Sequence, residues 1–492
     1  MARRTLYALL GLTALAALAR FATLDLQSFH HDEAVTAGQV LDPNLGATLN
    51  QVADGERSPP LYYVLAWAWS TIFGTGEVGL RSLSALLGTL MVPAAFFGGR
   101  ALASEGVGLA AALLFAFNPY LVWYSQEARS YILMALFATV AIASLAAHSR
   151  GGERRAVRTW ALASALALLS HYFAVFLIVP QALWLLAGAP DRRRLVAPLA
   201  ALALVAFALV PLTLTQQGSE RRDGFADRPV AERVAEVGLN YVASEDPDPL
   251  SGSRRVDAVQ FGAGVVGLIL VCLAGLILAR RWAPHDEDEG SALLPAERNA
   301  SLLLAALAGI TIGVPALLAF AGLDLLNPRN LLAGVVPVLL VAALVFGNGR
   351  RRLAAIGLAA TATLFAAVVV AVNLSAEMQR EDWRGAAEAM GEPAGVRIVV
   401  APKNGDDPLE LYLDAVKFEG PRFEDGLDVE EIEVLGTGGT VHAPEGYEER
   451  STVSLPPLFE LTSFVAPGTR RLAPEDLYGV LGGRTVVLID RP

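Results

Sequence analysis

Read from its amino terminus, the chain is a succession of apolar runs separated by short polar segments. The runs lie at about 5–24, 80–98, 102–118, 130–147, 159–172, 173–188, 195–214, 258–280, 299–320, 329–347 and 353–373. A helix rises about 1.5 Å per residue, so runs of this length suit a hydrocarbon core of about 30 Å. The pattern predicts a membrane all-α fold of about eleven transmembrane helices. Leu61–Phe73 is different: it is short, lies between Pro59-Pro60 and Gly74-Thr75-Gly76, and carries Tyr62, Tyr63, Trp67 and Trp69. It reads as an interfacial helix within the first outer loop. Between 159 and 188, Ser170, His171 and Tyr172 interrupt the apolar stretch, which fits one long helix or two short ones. Beyond 373 the pattern changes to short mixed runs at 384–390, at "VRIVVA" from Val396, at 409–416 and at "TVVLID" near the end. These predict a soluble α/β domain at 374–492 following a membrane domain at 1–373.

Composition strengthens this division. Of 492 residues 54% are hydrophobic, above the usual soluble share of about 45–50%. Arg3 and Arg4 before the first run resemble the start of a signal peptide, but no clear cleavage site follows, so an uncleaved first helix is expected. From Leu374 onward there are 23 acidic and 11 basic residues, against 26 and 27 in the rest. An acidic tail argues against nucleic acid as a partner. Cys272 is the only cysteine, so no intramolecular disulfide or thiolate metal site can form. The 285–289 segment "HDEDE" reads as a solvated loop.

Charge also sets sidedness. With 61–73 on the surface and the amino terminus inside, Arg100, the arginines at 150–158, 192–194, 280–281 and 350–352 all fall on the cytoplasmic side. The same parity puts 25–79, 119–129, 215–257, 321–328 and the acidic tail outside. The plasma membrane, with the working face and the tail on its outer side, is the expected location.

That face carries the candidate chemistry. Asp32 and Glu33 follow the first span in "FHHDEAVT"; next come Arg57 before Pro59-Pro60, Arg81 opening the second span, "NPYLVWYSQEARSY" at 118–131 and "NPRN" at 327–330. Ionisable groups beside lipid are costly unless they line a polar cavity, pair or bind a substrate. In this order and spacing the strings resemble the C-type membrane glycosyltransferases of the family 39 kind, which include protein O-mannosyltransferases and lipid A aminoarabinose transferases. The likeness covers most of the first 150 residues. It rests on Asp32-Glu33, Pro59 to Tyr63, the Gly-rich turn, Arg81 and the Tyr-Ser-Gln-Glu-Ala-Arg-x-Tyr string ending at Tyr131.

The resemblance implies transfer of a sugar from a polyprenyl-phosphate donor to a lipid, glycan or protein acceptor, with Asp32 as the base. The residues suit that chemistry: a carboxylate can take the acceptor hydroxyl proton, and guanidinium forks can stabilise a departing phosphate. Arg129 and Arg329 are the first candidates for the phosphate, then Arg57 and Arg81, although an arginine at a span end can also be a snorkelling anchor. Glu33 is assigned an orienting role. Glu127 can pair with Arg129, orient the acceptor or join a metal site. His31, Tyr62 and Tyr131 are candidate substrate contacts, and a divalent metal at Asp32, Glu127 and His31 stays open. The tail does not resemble a β-trefoil, although "EDWRGAAEAM" at 381–390 resembles the start of the outer tail in bacterial relatives. A transporter or flippase of a lipid-linked substrate is the alternative reading, and an anchoring protein with a partner-binding tail a third. Transporter sites tend to lie at the bilayer midplane, whereas these charges cluster on one face.

Overall fold

The structure, a computed structural model, describes residues 1–151, 154–188, 191–216, 228–244, 295–347, 352–393, 395–413, 416–417, 427–437, 441–472 and 485–490. The expected span at 258–280, Cys272 and the 285–289 segment lie outside the described residues. In chain order the helices are α1 (Arg3–Phe21), α2 (His31–Val35, continued by a π-helix Thr36–Val40), α3 (Leu45–Gly55), α4 (Leu61–Phe73), α5 (Glu77–Leu102), α6 (Glu105–Phe117), α7 (Pro119–Ser125), α8 (Tyr131–Gly151), α9 (Arg154–Ser170), α10 (Val175–Gly188), α11 (Arg193–Gln216), α12 (Val230–Ala243), α13 (Pro295–Phe320), α14 (Val335–Phe346), α15 (Arg352–Leu374), α16 (Trp383–Met390) and α17 (Asp406–Leu413). The strands are β1 (Arg397–Pro402), β2 (Val416–Lys417), β3 (Leu427–Gly436), β4 (Glu448–Leu455), β5 (Phe459–Leu472) and β6 (Thr485–Asp490). Contacts divide the described residues into two units, one of 1–24 with 42–371 and one of 25–41 with 372–490.

The first unit is helical. Among the described residues seven helices are long and apolar enough to cross a membrane, and an eighth joins them if α6 and α7 form one span bent by 58°. The eleven spans expected from the pattern are thus not all of spanning length. α9 opens with Arg154, Arg155 and Arg158, and α10 has only 14 residues. The 159–188 stretch is two helices. α9 stops at Ser170, and the His171 Nδ1 accepts the Phe173 N–H at 3.3 Å to open a 3-10 turn at Tyr172–Ala174. Trp160 on α9 donates to Gln181 on α10 at 2.9 Å. The two lie on either side of the turn in the chain.

The α6/α7 bend has a local cause. Pro119 has no N–H to continue the ladder, and the Asn118 side chain caps the new helix by accepting the Leu121 N–H at 3.0 Å. The carbonyls of Phe115 and Ala116, freed near the break, accept Arg20 at 3.0 and 2.8 Å, and the Arg20 Nε donates to the Ser125 hydroxyl at 3.0 Å. Arg20 is fully buried. Gly88 on α5 admits this assembly, since a Cβ there would lie 2.9 Å from the Arg20 Nε and closer still to the Ser125 side chain. α4 begins after Pro59-Pro60 and stops at Gly74, whose φ of 81° is open to glycine without strain.

The second unit is a six-stranded sheet, order β2-β6-β1-β3-β5-β4, with β1 and β3 parallel and the other neighbours antiparallel. Alternation puts Ile398, Val400, Ile432, Val434 and Phe464 in one core. Val399, Ala401, Leu435, Leu461 and Leu488 turn the other way, to pack with Trp383 and Met390 of α16 and Leu409 of α17. β4 is an exposed edge.

Candidate active site

In the first unit, polar groups from segments distant in sequence meet at one end of the helices. Glu56 closes α3, and Arg129 lies in the turn between α7 and α8. Both are buried, and the Arg129 terminal nitrogens donate to the two Glu56 carboxylate oxygens at 2.9 and 2.8 Å. The same guanidinium lies 5.8 Å from the Tyr63 ring centroid, a cation–π distance. Tyr131, opening α8, packs on Tyr124 at 5.0 Å and on His171 at 5.3 Å between ring centroids. Burial is the main cause that lowers the His171 imidazole to about 3, and the positive charges of Arg129 and Arg329 add to it. The ring is therefore neutral at physiological pH.

Arg329 lies on the 3-10 turn Pro328–Gly334, whose start is capped by the Asn327 side chain accepting the Arg329 N–H at 3.2 Å. Three further links hold this end together. Tyr120 donates to the Pro328 carbonyl at 3.2 Å, Tyr241 of α12 to the Leu331 carbonyl at 2.6 Å, and Asn118 to the Tyr241 carbonyl at 2.7 Å. α12 is pinned beside them by Arg233, which forks onto Asp324 with both bonds at 2.8 Å. Gln216, at the last turn of α11, donates to the carbonyls of Val52 and Ser58 at 2.8 and 3.2 Å and so braces the segment that carries Glu56. At the opposite end, Arg150 donates to the carbonyls of Arg100 and Ala103.

The other expected site residues of this unit are spread more widely. Glu127 is buried in the same turn, and its carbonyl accepts the Arg129 N–H at 2.9 Å. Arg57 is exposed. Arg81 is buried, with one terminal nitrogen on the Leu24 carbonyl at 3.0 Å. Tyr62 is buried with its hydroxyl 3.5 Å from that of Ser84; it is Tyr63 that faces Arg129. Sequence reasoning did not single out Glu56, Tyr63, Asn118 or Tyr241. Glu56 had one available signal, an acid between a helix end and the Pro-Pro pair.

Asp32, Glu33 and His31 belong to the second unit. Glu33 is buried and folded back, its carboxylate accepting the His30 N–H at 3.1 Å, while the His30 Nδ1 accepts the Asp32 N–H at 3.4 Å. This reciprocal capping starts α2. The Asp32 carbonyl accepts the Thr36 hydroxyl at 3.0 Å, and the Asp32 side chain is half-buried. The His31 Nδ1 is 3.3 Å from the Asp407 carboxylate. Among the described residues no group of three or more His, Cys, Asp or Glu side chains is arranged to hold a metal ion.

Fold and site together define a class: a multi-span helical membrane protein with a buried cluster of arginine, tyrosine and neutral histidine at one helical end, and a small sheet unit. Within that class, residues 57–214, about a third of the chain, match the family of dolichyl-phosphate-mannose-protein mannosyltransferases. No curated protein matches the chain in sequence. Among solved structures it is similar to the archaeal oligosaccharyltransferase AglB from Archaeoglobus fulgidus in complex with an inhibitory peptide and a dolichol-phosphate. That likeness has a TM-score of 0.48 and 15% identity, over 83% of this chain and 60% of that one, so the chain spans about three fifths of that protein's length. It is also similar to ArnT from Cupriavidus metallidurans in the apo state, TM-score 0.43 and 14% identity over 96% and 99% of the two chains. ArnT bound to undecaprenyl phosphate gives 0.42 and 12% over the same shares.

Proposed function

We propose that this protein is a membrane glycosyltransferase that moves a sugar from a polyprenyl-phosphate carrier to an acceptor hydroxyl on the outer face of the plasma membrane, inverting the anomeric centre. The observation that carries this reading is the convergence of Glu56, Tyr63, Arg129, Tyr131, His171 and Arg329 at one helical end. Glu56, Tyr63 and Arg129 come from segments that the arginine distribution assigns to the outside, Tyr131, His171 and Arg329 from the outer ends of apolar runs, and Arg100 and Arg150 meet at the other end. The match over residues 57–214 points the same way.

In this scheme the Asp32 carboxylate takes the acceptor hydroxyl proton as the acceptor oxygen bonds to the anomeric carbon. The bond from that carbon to the phosphate oxygen breaks, and polyprenyl phosphate leaves. Charge grows on the phosphate, so a guanidinium there stabilises the transition state more than the ground state. Arg329 and Arg57 take that contact. Arg129, with its fork on Glu56, supplies fixed positive potential, and Arg81 anchors the end of the first span through Leu24. Glu33 holds the α2 turn through His30 rather than taking a proton.

The test is a transfer assay on purified full-length protein with undecaprenyl-phosphate mannose, glucose, arabinose and galactose. One of the four should lose its label to an acceptor, and Asp32→Asn should lower turnover by about 100-fold or more with donor binding kept. Carrier crossing vesicles without loss of sugar would favour the transporter reading, and normal turnover in Asp32→Asn would remove it as the base.

A further inference from the structure

The short segment that carries Asp32 does not stand alone. Within the second unit it is held along its whole length by groups from the carboxyl-terminal part of the chain. The Gln27 side chain accepts the Arg380 N–H at 2.8 Å, and the Ser28 hydroxyl donates to the Glu381 carbonyl at 2.8 Å while accepting the Trp383 N–H at 3.0 Å. Next, the Phe29 N–H donates to the Tyr412 hydroxyl at 2.9 Å. Asp407 then engages both sides of Asp32 in sequence, one carboxylate oxygen beside the His31 Nδ1 at 3.3 Å and the other accepting the Gln39 amide. Asp407 and Tyr412 both belong to α17, whose Leu409 is buried in the sheet core. The five-residue α2 is far too short to be stable by itself, so its conformation is set from outside.

On these observations we infer that Asp407 and Tyr412 are positioning residues of the transfer reaction: α17 fixes the backbone from Phe29 to Gln39 and thereby the direction of the Asp32 carboxylate. The role rests on the reading of Asp32 as the base. Each residue acts through Asp32 and touches no reacting atom. Asp407 orients α2 by its 3.3 Å contact with the His31 Nδ1 and a hydrogen bond from Gln39, and Tyr412 fixes the chain at Phe29, three residues upstream of Asp32. A base displaced by about 1 Å loses on the order of 100-fold in rate.

Full-length Asp407→Asn, Tyr412→Phe and His31→Gln, with the double variant His31→Gln/Asp407→Asn, test this in two independent ways. Hydrogen–deuterium exchange of the purified proteins in detergent should rise by about tenfold or more in peptides covering 29–40 for Asp407→Asn and Tyr412→Phe, while β1 and β3 keep their protection. Unchanged exchange at 29–40 overturns the inference, whatever the enzyme's substrate. With the undecaprenyl-phosphate sugar that is turned over, kcat should fall by about 10–100-fold with donor KM nearly constant. His31→Gln should cost no more in the Asp407→Asn background than Asp407→Asn alone, because both remove one contact. If Asp32→Asn abolishes transfer but the α17 variants keep normal kcat, positioning by α17 is wrong and the base assignment stands. If Asp32→Asn transfers normally, the base assignment fails, and the exchange measurement still decides whether α17 holds the segment.

Discussion

Arg129 and Glu56 form a buried fork-to-fork pair, and the cost of disturbing it depends on whether one charge is removed or both. Glu56→Gln leaves a buried guanidinium without its counter-charge, which should lower stability by about 3 kcal/mol. Replacing both, as Glu56→Leu with Arg129→Met, should restore most of that stability because neither charge remains to be desolvated. Transfer should be lost in both proteins, measured as labelled product beside thermal unfolding in the same detergent. A double variant with normal transfer would reduce the pair to a structural tie. His171 supplies a pH signature. Its folded value is near 3 against an ordinary 6.5, so below about pH 6.5 the unfolded chain takes up a proton that the folded chain refuses. Stability should fall with acid from about pH 6.5 to 3, by about 1.4 kcal/mol per pH unit at most. Unfolding midpoints of His171→Gln across that window should be flatter by this contribution, and parallel curves would count against it. Of these groups only Arg129 was legible in the sequence at full strength, since its string sets it apart from other arginines. Glu56 reads as an ordinary surface acid until the fold brings Arg129 to it. Tyr62 and Tyr63 differ by about 100° around their helix, so which one meets the guanidinium depends on how α4 is rotated.

Among the elements, the broken pair α6 and α7 depends most on one side chain. Arg20 compensates for carbonyls that the Asn118-Pro119 break leaves open, so Arg20→Met should both open the bend and leave buried acceptors unsatisfied. A loss of about 2–4 kcal/mol is expected, with faster proteolysis in the 119–130 region and lower transfer, and an unchanged unfolding midpoint would show that other groups hold the bend. The long apolar helices were visible in the pattern because a spanning run needs little besides length and hydropathy. α12 was not, since Val230–Ala243 carries Glu232, Arg233 and Glu236 among its apolar positions and sits in what reads as an outer loop. β3, β4 and β5 escaped for a related reason: β4 is exposed almost throughout, and β3 carries Asp428, Glu430, Glu431 and Glu433 within ten residues. Helix and strand periods are hard to tell apart when charge occupies so many positions.

At the scale of the whole chain, the arginine pattern makes a claim about membrane sides that chemistry can check. Arg154 opens α9 and Asp54 lies near the end of α3, and both are exposed. In a Cys272→Ser background, Asp54→Cys should react with a membrane-impermeant maleimide in intact cells, and Arg154→Cys only after permeabilisation. Labelling of both from the same side would overturn the assigned parity.

The bond from the Ser28 hydroxyl to the Glu381 carbonyl joins positions 353 residues apart, and this has a consequence for synthesis. At about 5–20 residues per second, the segment around Asp32 leaves the ribosome some 20–70 s before the groups that hold it exist. During that interval α2 lacks the contacts that keep it folded, and the nascent chain exposes Phe29, Ala34 and Val35, all buried in the finished protein. A newly inserted copy is therefore a lipid-embedded bundle with an unfinished loop, open to proteases and chaperones on the side where that loop emerges. Its loop is completed only once the segment from Arg380 to Tyr412 has been translated.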